Sequence, residues 1–364
     1  MTAPAPIRPL EGLKVVDFST LLPGPMASLI LAEAGAEVVK IERPGTGDEM
    51  RTYEPRVGET SANFALLNRA KRSVAIDLKS AQGREEAIEL ASRADILIEQ
   101  FRPGVMERLG LSYKTLSAGN PGLIYCSISG YGQTGPKAQV AAHDLNYAAE
   151  TGFLSLVRGA DGTPAMTATP IADLAGGAYP AVINILMALA ERARTGKGRH
   201  LDVAMADNLF PLLYWALGSG FSGRWPGASA DLVTGGGPRY RIYRTSDGRH
   251  LAAAPIEERF WSRFCHLIGV DETADAEAVA TAIAGKTAAE WQHIFAGEDV
   301  CCSIVEDVRA AVQDPHVVAR GLFRRTVDAG GVRIPALPLP LVEDYRDPVA
   351  DREAPGLPAA KRSQ

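Results

Sequence analysis

The chain has few cysteines, no surplus of basic residues and no long apolar run, and each shortage excludes a class of protein. Cys126, Cys265, Cys301 and Cys302 are the 4 cysteines in 364 residues, and they lack the paired spacing of a zinc site. No structural metal is expected, and reduced thiols are. The count of 38 Lys and Arg against 43 Asp and Glu gives a net charge of −5, which offers nucleic acid no electrostatic footprint. The most apolar run, residues 181–190, is too short to span a bilayer and reads as a buried helix. The opening MTAPAPIRPLEG has no apolar signal core and reads as a loose arm, so the cytoplasm is the expected location. Two nucleotide signatures are missing as well. The first crossover carries Pro23-Gly24-Pro25 in place of G-x-G-x-x-G, and no G-x-x-x-x-G-K-[ST] loop occurs, which argues against the usual dinucleotide and phosphate-loop sites.

What is present is a strand–helix rhythm. LKVVDFS, EVVKIE, SVAIDL, DILIEQ, LIYCSISG and RHLDVAM are short apolar runs suited to buried parallel strands, and helices such as MASLILAEAGA and SAQGREEAIELASRA separate them. Such alternation predicts an open α/β sheet with right-handed crossovers, whose ligands bind beyond the carboxyl ends of the strands. Basic residues gather near those ends: Arg43, Arg69, Lys71, Arg72, Arg102 and Arg108. Guanidinium groups there suit the phosphates of a nucleotide-bearing ligand, although Lys71 and Arg72 also suit a solvated turn. Composition then shifts to Gly, Ser and Pro, and a Ser-Asp-Gly hairpin signal follows with two amphipathic helices. The expected organisation is a large α/β domain over residues 1–205 completed by 318–364, a linker helix and loop over 206–239, and a small α+β domain over 240–317.

The chemistry concentrates in residues 143–177. His143 and Asp144 open one helical segment, and Asp173 stands just before Leu-Ala-Gly-Gly and a long apolar helix. A carboxylate there lies at a helix start, where free N–H groups favour an anion. An imidazole and a carboxyl group facing each other would suit two-base proton transfer. The same residues also suit a capping or core histidine and an N-capping aspartate.

Taken together, LEGLKVVDFSTLLPGPMASLILAEAGAEVVKIERPGTGDEMR, LNRAKRSVAIDLKS, FRPGVMERLGLS, LIYCSISGYGQTGP, HDLNY and TGKGRHLDVAM resemble the family III coenzyme A transferases (CaiB/BaiF), which include the alpha-methylacyl-CoA racemases. The resemblance runs in order along nearly the whole chain. It implies a Rossmann-like large domain, a coenzyme A thioester as substrate carrier with no tightly bound cofactor, and an interlocked homodimer. It also implies site residues. Arg43, Lys71, Arg72, Phe101, Arg102 and Arg108 would hold coenzyme A, with Arg43 and Arg108 on its phosphates. Two chemistries are implied on one scaffold. In the racemases the aspartate matching Asp173 faces a histidine matching His143 across the alpha carbon, and a glutamate matching Glu257 orients that histidine. Asp144 would tune His143 or cap its helix. In the transferases the aspartate matching Asp173 is instead a nucleophile that forms an aspartyl-CoA thioester. HDLNY has the racemase form, whereas GDEMRTYEPRVGETSANF resembles the transferases. Leu22 stands where formyl-CoA transferase has a glutamine, which argues against oxalate as acceptor. The expectation is a 2-methylacyl-CoA racemase acting through His143 and Asp173, with a CoA-transferase as the alternative.

Overall fold

The computed structural model describes residues 8–159 and 162–358. Most of the loose arm expected at the start, residues 1–7, and the basic terminus at 359–364 lie outside the described residues. The chain forms two compact units: residues 1–148, 167–210 and 320–364 make the first, and 149–166 with 211–319 the second. Residues 149–166, which contribute to the second unit, carry no compositional break that marks them in sequence.

In the first unit, six parallel strands form one sheet: β1 (Lys14–Asp17), β2 (Glu37–Glu42), β3 (Arg72–Ala75), β4 (Ile96–Glu99), β5 (Ile124–Ser129) and β6 (His200–Ala204). Their order is β3-β2-β1-β4-β5-β6. The order reverses between β1 and β4, which makes the crevice beyond Asp17 and Glu99 the natural ligand position. β4 and β5 are buried at every residue, as expected for strands covered on both faces. One face packs Val16, Leu97 and Tyr125 against Ala87 and Ala91 of α3 (Ala81–Ser92). α1 (Pro23–Glu33) is buried along its whole length. It has Pro at its first turn, where the missing N–H costs nothing.

The helix after Asp173 departs from the sequence reading. It begins as a π-helix (Ala172–Ala178) and continues without a break as α7 (Tyr179–Thr195). The stretch Ala172–Thr195 is therefore long and apolar enough to cross a membrane by length and composition, and 44% of its most apolar window is buried within the protein. The run over 181–190 understated it because the π-helical turn adds a further apolar segment in front. α7 ends at Gly196, whose φ of 71° is the left-handed cap that glycine allows.

The tail belongs to this unit. Thr326–Asp328 pairs antiparallel with Arg333–Pro335 and parallel with Asp351–Glu353, and Val327 and Ala329 pack on Ala65. In the second unit, Arg241–Arg244 and His250–Ala253 form the expected hairpin, with Cys302–Ile304 as a third strand. Trp261, Phe264 and Trp291 fill its core, from helices Glu258–Ile268 and Ala288–Phe295.

Candidate active site

Asp173 lies in the first turn of the π-helix, and two glycines explain how that turn reaches its place. A Cβ on Gly176 would fall 2.4 Å from the carbonyl oxygen of Met205, and one on Gly177 would fall 3.0 Å from Pro23 Cβ. The backbone can approach β6 and α1 this closely because no side chain intervenes. Asn208 Nδ2 donates to the Gly176 carbonyl at 2.8 Å and secures the contact. π-helical turns are uncommon and recur at functional sites.

The second piece is α6 (Asp144–Glu150), with His143 just before it. The His143 N–H donates to Asn146 Oδ1 at 3.0 Å, which closes the turn by a side-chain cap. The Tyr147 hydroxyl donates to the Ala142 carbonyl at 2.8 Å, from a ring so close to Gly130 that a Cβ there would lie 2.5 Å from it. Tyr147 thereby ties the turn carrying His143 to the end of β5. His143 itself is exposed.

The two pieces meet directly. Asp144 Oδ1 accepts the backbone N–H of Asp173 at 2.9 Å. Burial and then the Asp144 charge push the Asp173 carboxyl up to about 7. Burial, followed by Asp173 and Asp144, also pushes the Tyr147 phenol up to about 12. A carboxyl group half protonated near neutrality can give or take a proton, which an ordinary capping aspartate cannot do. Asp144 thus acts on Asp173 by hydrogen bond and charge, in addition to standing beside His143 in the chain.

Glu257 belongs to the second unit, where it is the exposed N-terminal flanking residue of helix Glu258–Ile268. Its side chain makes no cap hydrogen bond. Arg239 brackets it by donating to the Ile256 carbonyl at 3.1 Å and to Glu258 Oε1 at 2.8 Å.

The expected phosphate-binding residues divide. Arg43 follows β2 and is exposed, with Glu49 3.6 Å away. Arg102 follows β4 and is exposed, and Arg108 is exposed in the last turn of helix Val105–Arg108. Phe101 is half-buried against the core, and its N–H donates to Glu99 Oε2 at 2.8 Å. Lys71 and Arg72 need correction, because Lys71 precedes β3 and Arg72 is its first residue, so neither follows its carboxyl end. Arg72 pairs with Val39 at the amino end of β3, away from the carboxyl-end crevice. Lys71 is enclosed: its Nζ donates to the Pro25 carbonyl at 2.8 Å and to Asn68 Oδ1 at 2.9 Å, and burial pulls its pKa down to about 7. Arg69 is likewise inside, 3.3 Å from Glu33. The sequence reading missed two exposed cations that do follow strand ends, Lys79 after β3 and Lys137 after β5. Counting positions forward from each strand's last residue would have found both. Among the described residues no His, Cys, Asp and Glu group is arranged to hold a metal ion.

A parallel sheet with a reversal at β1 and β4, cations beyond its carboxyl ends and a half-buried acid at a helix start form the candidate site. The chain matches CoA-transferase family III over residues 10–359, and it belongs to that family. It is 35% identical over 377 residues to the acetyl-CoA:oxalate CoA-transferase of Acetobacter aceti, covering 98% of this chain and 94% of that one. It is 34% identical over 367 residues to the alpha-methylacyl-CoA racemase of Mus musculus, covering 97% and 89%. Among solved structures, a CaiB/BaiF family protein from Brucella suis superposes with a TM-score of 0.81 at 32% identity over 96% of each chain. Rv3272 from Mycobacterium tuberculosis superposes with a TM-score of 0.82 at 28% identity over 97% of this chain and 98% of that one. The family assignment made from the motifs holds, as does the α/β fold with a large parallel sheet. Family members are racemases or CoA-transferases, and this protein is an enzyme of one of these kinds.

Proposed function

We propose that the protein is a 2-methylacyl-CoA racemase working by two-base proton transfer through His143 and Asp173. The observation that carries this reading is the Asp173 carboxyl, raised to about 7 beside an imidazole-bearing turn that Asp144 fastens to it. His143 takes the alpha proton from one face of the thioester while protonated Asp173 gives one to the other, and the reverse direction exchanges the roles. Coenzyme A, as carrier, lies across the strand ends with Arg43, Lys79, Arg102, Arg108 and Lys137 available to its phosphates.

The A. aceti relative favours a second reading, CoA transfer with Asp173 as nucleophile and an aspartyl-CoA intermediate. That reading asks for an ionised Asp173, whereas burial and the Asp144 charge raise its carboxyl to about 7 and leave it partly protonated near neutrality. It also leaves His143 without a chemical task.

We further propose that the working form is a homodimer. α7 leaves Ile183, Leu186 and Met187 exposed at 55%, 43% and 67%, and the second unit leaves Phe221 and Trp225 at 78% and 68%. Clustered apolar side chains of this kind support covering by another protein surface.

The deciding experiment incubates the enzyme with a 2-methylacyl-CoA in deuterated water, with and without a carboxylate acceptor. The racemase reading expects alpha-deuterium uptake without acceptor, abolished in His143→Ala and Asp173→Asn while CoA binding persists. A hydroxylamine-sensitive Asp173–CoA adduct with no alpha exchange, and transfer surviving in His143→Ala, would assign the transferase reaction.

A further inference from the structure

A buried charge cluster lies beneath the loop joining β1 to α1, and the chemistry described so far gives it no task. Lys40 on β2 and Asp48 are both fully enclosed, with Lys40 Nζ 2.8 Å from Asp48 Oδ2. The same Nζ donates to the Ser19 carbonyl at 2.7 Å. Asp48 Oδ1 accepts the N–H of Leu21 at 3.1 Å and that of Met50 at 2.9 Å. Leu21 has φ of 63°, in the left-handed region that a leucine enters only when its surroundings demand it. Beside this pair, Asp17 accepts the Ser19 N–H at 2.9 Å and the Ser28 hydroxyl at 2.5 Å, with Lys71 Nζ 3.6 Å away. Two lysines and two aspartates thus balance one another out of contact with water.

Such a cluster is a poor way to gain stability. Taking charges out of water is costly, and apolar residues of equal volume often serve the fold as well. What the ions supply and apolar groups cannot is hydrogen bonding to chosen backbone atoms. Those atoms belong to Ser19, Leu21 and Met50, and to Pro25 through Lys71. Three of the four lie in the loop and the first turn of α1. The loop delivers Pro23, which meets Gly177 of the π-helix at the contact already described. Leu21 and Leu22 stand half-buried beyond the carboxyl end of β1, next to the sheet's reversal point.

We propose that Lys40 and Asp48 are positioning residues: together they hold Leu21 left-handed so that the 19–22 loop seats the π-helix bearing Asp173 and walls the acyl cleft. The proposal rests on Asp173 being the reacting carboxyl group, which both reactions share, so a change of reaction type leaves it standing.

The test separates positioning from folding. The double variant Lys40→Met/Asp48→Leu fills the space without charge, and Lys40→Met/Asp48→Asn does so while keeping an acceptor for the Leu21 N–H. Melting temperature, coenzyme A affinity by calorimetry, and kcat and KM for alpha exchange and for transfer are read on each. The expected result is a melting temperature close to wild type in the Met/Leu double variant, with coenzyme A affinity retained and kcat reduced on the order of 10- to 100-fold, the scale of a small misplacement of reacting groups. The Met/Asn variant should recover part of that kcat. A Met/Leu double variant with wild-type kcat would overturn the proposal, as would losses of kcat that only track the folded fraction. Should the double variants not fold, a milder cycle serves. Asp48→Asn should cost less kcat in a Leu21→Gly background, where φ of 63° needs no clamp, than in wild type. Additive effects there would equally overturn it.

Discussion

Asp144 and Asp173 are 29 positions apart in sequence, yet the carboxylate of the first accepts the backbone N–H of the second at 2.9 Å. The bond satisfies a donor in the first turn of the π-helix and brings a negative charge beside a half-buried acid. One neighbour thus contributes to both the position and, after burial, the proton affinity of Asp173. The predictions below begin from that relationship.

Removing the Asp144 charge should lower the pKa of Asp173, since the charge raises it. In Asp144→Asn the limb of the pH–rate profile assigned to Asp173, expected near 7 in wild type, should move to lower pH. Measuring kcat/KM for alpha exchange across pH 5–9 in both proteins checks the direction. An unmoved limb would remove Asp144 from this role.

Asp173 should also cost the fold stability at neutral pH. Its folded pKa of about 7 lies above the ordinary 3.8, so between those values the native state holds more protons than the unfolded chain. Stability from this group accordingly falls as pH rises through that window and levels off above about 7. Asp173→Asn removes the ionisation and should stabilise the protein at pH 8 by on the order of 2–4 kcal/mol, with much less gain near pH 4. Denaturant melts at the two pH values test this, and equal effects at both would contradict it.

Gly176→Ala should disturb the site through backbone geometry alone. The added Cβ would meet the Met205 carbonyl at 2.4 Å, and neither partner is a flexible side chain. A loss of about 1–3 kcal/mol in stability is expected, together with reduced turnover. Gly196→Ala, with an open surround but φ of 71°, should affect stability while sparing kcat.

The cations should sort by place. Arg43→Ala, Arg108→Ala and Lys79→Ala should each weaken coenzyme A binding by about 1.5–3 kcal/mol wherever a charge-assisted phosphate contact is lost. Lys71→Ala should instead lower the melting temperature, because it strips the Pro25 carbonyl and Asn68 of a buried partner. Calorimetry against thermal melts distinguishes the two groups. A folded Lys71→Ala protein of normal stability with weakened coenzyme A binding would restore Lys71 to the ligand set.

An apolar face that a partner covers should not tolerate charge. Met187→Glu, on the exposed side of α7, should shift sedimentation toward the monomer and lower activity with it. Wild type sedimenting as a folded, active monomer at low micromolar concentration would exclude the dimer.

The alternation of apolar strands and amphipathic helices was enough to read the parallel sheet, because strands covered on both faces must be apolar throughout and their spacing forces crossovers. The hairpin of the second unit was equally legible from Ser246-Asp247-Gly248, a turn that local chemistry dictates. His143 and Asp173 stood out as residue types, and the resemblance of the motifs around them supplied the family. Three things came only with the tertiary structure. Lys71 looked like a ligand-binding cation, and only the folded chain encloses its Nζ against the Pro25 carbonyl and Asn68. The π-helical turn at Asp173 depends on Met205 and Pro23, which approach Gly176 and Gly177 from distant parts of the chain. The raised proton affinity of Asp173 arises from burial and from Asp144, neither of which exists until the chain has folded, because in the open chain water screens both acids alike.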